Sequence, residues 1–160
     1  MALQSTVNSK QAFGLVGTFY DDSARTVAPY NLKAATGGAL PKIGCAFTTS
    51  AAAPHDATIG DGDVFAGILV SPHEQVISGL SASLELPAGT IGELATKGHV
   101  IVVSETAVSV GYVAAYNKTT GAISAYADAA SVPNTHVQIA GAKFVYENAA
   151  VGEVSILELN

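Results

Sequence analysis

The sequence predicts an all-β protein, a jelly-roll-like β-sandwich or barrel with an extended N-terminal arm. Three observations carry that expectation. From Pro41 onward, short runs of apolar and β-branched residues alternate with clusters of Gly, Pro, Asn and Asp, the punctuation of a chain folded into short strands. No segment sustains an apolar period of 3.6 residues, so no long amphipathic helix is expected. Residues 1–36 scatter single apolar side chains (Val7, Phe13, Leu15, Phe19, Val27, Tyr30) among polar clusters, Gly14, Gly17 and Pro29, with no period of either kind. Such a stretch cannot cover its own apolar groups and has to lie on its domain or on a neighbour.

The organisation that follows is a single domain: an extended arm over residues 1–36 and a β domain over 37–160. Expected strands are Ile43–Thr49, Val64–Val70, Val76–Ser83, His99–Glu105, Ser109–Tyr116 and Ala122–Ala127, then a final pair between His136 and Asn160. The intervening segments Ala53-Pro-His-Asp56, Gly60-Asp-Gly-Asp63, Pro87-Ala-Gly89, Asn117-Lys-Thr-Thr-Gly121 and Ser131-Val-Pro-Asn134 carry residues whose φ preferences or side-chain hydrogen bonds favour turns. The clearest hairpin joins Gly111–Tyr116 to Ala122–Tyr126 through a loop ending in Gly121, which suits a left-handed closing position. A single helix-like turn is expected at Pro72-His-Glu-Gln75.

Composition narrows the function classes. The chain is 49% hydrophobic but only 12% charged, about half the charged share of an ordinary soluble domain. So sparse a charge cover suits a protein that buries part of its exterior against partners. With a net charge of −6, one arginine and scattered lysines, no basic stripe exists to follow phosphates, which argues against nucleic-acid binding. No apolar run approaches the roughly 20 residues of a spanning helix, so no membrane association is expected. No basic segment leading into an apolar stretch marks a signal peptide, and synthesis in a cytosol is expected. Cys45 stands alone and reads as a small buried thiol.

Candidate chemistry fails at each place it is sought. The acidic run Asp56-Ala-Thr-Ile-Gly-Asp61-Gly-Asp63 begins like a calcium loop, yet the fifth position counted from Asp61 is Phe65, and the loop needs an oxygen ligand there. His55, His73, His99 and His136 have no metal-ligand spacing. His73-Glu74 opens a zinc-protease motif that Ile77 breaks. His55-Asp56 lacks a nucleophile elbow, the nearest string being Gly79-Leu-Ser-Ala-Ser83. Gly37-Gly38 and Gly60-x-Gly62 lack the strand-to-helix context of a phosphate cradle. No catalytic residue, metal or cofactor is expected.

A series of short strings runs nearly the length of the chain: Val7-Asn8, Gly14-x-x-Gly17-Thr-Phe19 and Arg25; Phe65-Ala-Gly-Ile-Leu-Val-Ser-Pro-His73-Glu74-Gln75; Leu86-Pro-Ala-Gly89; Gly111-Tyr-Val-Ala-x-Tyr116 with Thr120-Gly121; and Lys143-Phe144 with Gly152-Glu-Val-Ser-Ile156. In order and spacing they resemble the phage structural cement protein family, with Thr18 where the family usually has Asp and Ser23-Ala24 where it usually has Asn-Pro. The resemblance implies a jelly-roll-like, non-enzymatic protein of the virion. Such a protein forms a homo-oligomer, a dimer or a trimer, on the outer face of a phage head and stabilises contacts between subunits of the major capsid protein. In that reading Val7, Phe13, Leu15, Phe19 and Arg25 are the expected capsid-side anchors, since aromatic and Arg residues dominate interface energetics; the alternative for the phenylalanines is that they fill the domain's own core. The alternative is a β-sandwich receptor- or carbohydrate-binding module of a virion, against which stand the absence of Trp and the dispersal of the tyrosines. A trimeric jelly-roll enzyme with its site between subunits is the third reading.

Overall fold

A computed structural model describes residues 14–35, 37–60, 64–71, 85–148 and 150–160. The expected strand Val76–Ser83, the turn at Pro72–Gln75, His73, Asp61, Asp63, Val7 and Phe13 lie outside those residues. The strands are β1 (Thr26–Leu32), β2 (Ala46–Ser50), β3 (Ala53–Ile59), β4 (Val64–Val70), β5 (Ile91–Val103), β6 (Val113–Asn117), β7 (Ile123–Tyr126), β8 (His136–Phe144) and β9 (Val154–Leu159). A short 3-10 turn at Ala129–Ser131 is the only helical element among the described residues. The protein is all-β, as its sequence predicts.

The strands follow one another in the order β1-β3-β2-β4-β5-β9-β8-β6-β7, and β1 also pairs with β5. The first five therefore close into a ring, while β5, β9, β8, β6 and β7 form a second sheet. β5 belongs to both. Its first half pairs with β1 (Ala28↔Leu94, Asn31↔Ile91) and with β4 (Leu69↔Leu94). Its second half pairs with β9, from Gly98↔Leu159 to Val103↔Val154. Gly98 sits at the change of partner with φ +118°, and a Cβ there would lie 3.1 Å from the Phe19 ring. A bend of that sign beside a ring edge is open to glycine and strained for other residues.

Side-chain alternation divides the apolar residues between two cores. Phe47, Leu69 and Leu94 point into the ring with Leu32, Ile43, Cys45, Ala57, Ile59 and Leu86. Their neighbours Ala46, Ile68, Val70 and Ala95 point outward against Val100, Val102, Tyr116, Ile123, Phe144 and Leu157 of the second sheet. Strand β4, apolar on both faces, lies between the two cores, which explains its unbroken apolar run Phe65-Ala-Gly-Ile-Leu-Val70. The β6–β7 turn is tied to the ring by the Ala46 N–H, which donates to the Gly121 carbonyl at 2.8 Å. A Cβ on Gly121, whose φ is +67°, would stand 2.6 Å from the Ala46 carbonyl oxygen.

Ala53-Pro-His-Asp56, expected as a turn, is the first half of β3. The turn is two residues long and comes earlier, with Ser50 paired to Ala53. Pro54 is tolerated because β1 joins the other flank of β3 only from Asp56, so the missing N–H leaves no ladder bond unmade. The expected strand at His99 begins much earlier, at Ile91; Gly92, Glu93, Lys97 and Gly98 conceal its first half in the sequence. The expected Ser109–Tyr116 strand starts at Val113, and the hairpin to β7 and the final pair β8 and β9 occur where expected. Thr26–Leu32, within the extended stretch, enters the ring as β1.

Candidate interaction surface

The chain reaches β1 along the edge of β5. The Gly17 N–H donates to the Ile101 carbonyl at 2.8 Å, the Ile101 N–H to the Thr18 carbonyl at 2.9 Å, and the Tyr20 N–H to the His99 carbonyl at 2.9 Å. Residues 21–25 then bulge away before Thr26 rejoins β5 opposite Lys97. The bulge is clipped at its start, where Asp21 Oδ2 meets His99 Nδ1 at 2.7 Å and Ser23 Oγ donates to Asp21 Oδ1 at 2.6 Å. Hydrogen bonds from Ser23 and His99 hold the Asp21 carboxyl below its usual range.

These contacts locate three of the residues expected to act as anchors. Leu15 is the most exposed large apolar side chain among the described residues, at 77%. Phe19 is half-buried and packs against the core between the layers, while the Arg25 guanidinium lies 5.0 Å above its ring, a cation–π distance. Phe19 and Arg25 thus meet each other on the domain's own surface, and Leu15 projects from it. Val7 and Phe13 fall outside the described residues.

The Asp21, Ser23 and His99 cluster has the residue types of a hydrolytic triad but not its wiring. A triad places carboxylate and hydroxyl on opposite imidazole nitrogens so that a proton can be relayed. Here Ser23 Oγ, 3.4 Å away, and Asp21 both face Nδ1, so the cluster is a mechanical clip. Asp56, from the acidic run, accepts from Asn31 Nδ2 at 2.8 Å and lies 3.6 Å from Lys33 Nζ. Among the described residues, no three His, Cys, Asp or Glu side chains converge in a way that could hold a metal ion. A cleft of about 410 Å³ between the ring and the second sheet is lined by Val64, Phe65, Tyr116, Val137, Ile139 and Leu159 among others. Among the described residues, Tyr116 supplies its only titratable side chain, a phenol that burial pushes up.

A second surface, which the sequence did not reveal, lies beyond Val103 and Val154, at the end of the β5–β9 pair where the β5–β6 and β8–β9 loops meet. Val108 and Asn148 exchange both backbone hydrogen bonds, at 2.7 and 2.9 Å, and the Gly152 N–H donates to the Ser104 carbonyl at 2.9 Å. The buried Asn148 braces this end, its Nδ2 donating to the Val154 carbonyl and its Oδ1 accepting from the Ala150 N–H. Outward from this frame stand Val110 at 65% exposure and Val151 at 68%, with Val103, Val145 and Tyr146 less exposed. Glu105, Glu147 and Glu153 are the only charged residues of the two loops, and all three are exposed. In the sequence, Val145-Tyr146 and Val151 look like the interior of the final strand pair. Only the position of the loops brings them out.

The model of the structural cement protein family (E217 gp24/Pam3 gp6) matches residues 3–160. Among solved structures, a chain described as the capsid of Myoviridae Phage XM1 has the same fold, with a TM-score of 0.64, 16% identity, and coverage of 100% of this chain and 98% of that one. No curated protein sequence matches the chain. With a family match spanning both β layers and the edge segment that joins them, the chain belongs to the phage structural cement protein family and is a structural protein of the virion capsid.

Proposed function

We propose that this chain binds the outer surface of a phage head and stabilises contacts between subunits of the major capsid protein, without catalytic turnover. The family match over residues 3–160 carries this reading. The sparse charge of 12% and the net charge of −6 support it, because a weakly charged exterior suits buried contacts and a negative one suits a position away from packaged DNA. Each copy makes a modest contact. A homo-oligomer, dimeric or trimeric, engaging several capsid subunits gains through effective concentration, so that many linked contacts resist the outward pressure of packed DNA. Val7, Phe13, Leu15, Phe19 and Arg25 remain the proposed anchors of the arm. Leu15, exposed beside a clipped segment, is the described residue best placed to reach a neighbour.

The test is the copy number of the chain in purified virions relative to the major capsid protein, by quantitative mass spectrometry. A ratio near one, or a simple fraction of it, is expected. Absence from the virion, or a handful of copies, would remove the shell-bracing role.

A further inference from the structure

We propose that the cleft between the ring and the second sheet receives the uncharged segment Ala2-Leu3-Gln4-Ser5-Thr6 from a second copy of the chain, added as a strand along the open edge of β8. The proposal rests on the cement reading above in taking a homo-oligomer as the working form of the protein. A gap in the strand pairing leads to it. β5 pairs with β4 up to Ala95 and takes up β9 at Gly98, so its two partners part there. Toward the start of β4, pairing with β5 stops at Ile68, while Val64 and Phe65 are paired to β2. Toward the start of β8, pairing with β9 stops at Lys143, while His136, Val137 and Gln138 are paired to β6. Asn160 Nδ2 closes the end of β9 by donating to the Gly141 carbonyl at 3.1 Å. Among the described residues, no strand continues along β8 beyond it. The backbone of such an edge can pair with a further strand.

The lining states what that strand must carry. Val137, Gln138, Ile139 and Ala140 all border the cleft, although consecutive side chains of a strand point to opposite faces; the cleft therefore follows the edge of β8 rather than one of its faces. Across from it stand Val64, at 60% exposure, and the Phe65 ring, stacked on Tyr116 with centroids 5.9 Å apart. Among the described residues no charged side chain lines the cleft, and a charge buried there would lack a partner. The occupant is thus an extended, uncharged segment with an apolar side chain for Val64 and Phe65. The chain supplies one: its first charged side chain is Lys10, and in an extended segment Leu3 points away from Ala2 and Gln4. The position of the arm makes the acceptor a second copy. Phe19 pairs with Val100 on the edge of β5 opposite β9. Toward its N-terminal end the arm then passes from His99 to Ile101, away from Thr96, where the cleft meets β5. The eleven residues from Leu3 to Gly14 reach roughly 36 Å when extended, enough to cross to a neighbour and to leave Val7 and Phe13 between the copies, on the capsid side.

The experiment mixes purified Leu3→Cys chain with purified Val64→Cys chain, each first shown to melt like the wild type, and identifies the disulfide-linked peptides after oxidation by mass spectrometry. Cys45 is buried in the ring and stays out of the reaction. A disulfide between positions 3 and 64 is expected in the mixture, on two separate chains. A link formed only within a chain that carries both substitutions, at the mass of one chain, would overturn the proposal by giving the cleft to the chain's own arm. No link in either sample would overturn the choice of segment. So would a link from Val64→Cys to the major capsid protein in assembled heads, in place of one to position 3, which would give the cleft to a capsid segment. In sedimentation of the free chain, Leu3→Asp and Val64→Asp are each expected to weaken self-association at least tenfold, and unchanged association in both would count against the exchange. The linking in solution and the sedimentation use the free chain, so their failure is distinct from failure of the cement reading, which the copy number in virions decides.

Discussion

Cys45 shows how far a single side chain is governed by its surroundings. It faces the interior of the ring with Phe47, Ile43 and Leu69, and burial pushes its thiol from the ordinary 9.0 up to about 11. A raised thiol favours the protonated form in the folded state. The stability it contributes is therefore complete below pH 9 and declines as pH rises through 9 toward 11, by roughly 1.4 kcal/mol per pH unit. Denaturant titrations at pH 8 and pH 10.5 should show this decline in the wild type and a smaller one in Cys45→Ala. Alkylation of the native thiol at pH 8 should be slow and should accelerate only as the ring unfolds, because the thiolate is the reacting species. At this scale the sequence was a good guide to what a residue is and a poor guide to what it meets. That Cys45 would be buried followed from its apolar context, whereas the meeting of Asp21 with His99, 78 positions apart, had no local sign.

Among the elements, β5 decides how the layers behave together. Its 13 residues supply one wall of the ring and one strand of the second sheet, and its free edge is lined first by β1 and then by residues 17–20. Ala46, Ile68 and Ala95 on the outside of the ring complete the core of the second sheet. Neither layer can open without exposing apolar groups of the other, so the two cores should melt as one unit. Calorimetry is expected to give a single transition whose calorimetric and van't Hoff enthalpies agree; two separable transitions would show that the shared strand does not couple the layers. The outer edge of β7 is closed in the same spirit. The Glu105 N–H donates to the Ile123 carbonyl at 2.9 Å, and Thr106 Oγ1 both donates to the Ala125 carbonyl and accepts from its N–H. A covered edge does not recruit further strands, so assembly on a shell has to proceed through side-chain surfaces rather than sheet extension at this edge.

For the whole molecule, the arm is a surface proposed to meet the capsid, and its contribution can be isolated. Among the described residues the backbone pairing of the arm with β5 runs from Gly17 onward, so removal of residues 1–13 leaves every described hydrogen bond to β5 in place. That truncated chain is expected to keep the melting temperature of the full chain within a few degrees. It is also expected to fill heads with reduced affinity, measured as the occupancy of heads assembled from the major capsid protein at rising concentrations of the chain. Full occupancy at unchanged affinity would mean that Val7 and Phe13 take no part in anchoring.

The all-β class, the β6–β7 hairpin and the order of the last strands were legible in the sequence, because side-chain alternation and turn residues are local signals. The family was legible too, through the order of its short strings. Closure of the ring, the double membership of β5 and the exposure of Val110 and Val151 were not. They depend on which distant strands pair, and a valine in an extended segment looks the same whether its neighbours in space cover it or leave it standing in water. Only the tertiary arrangement makes that choice.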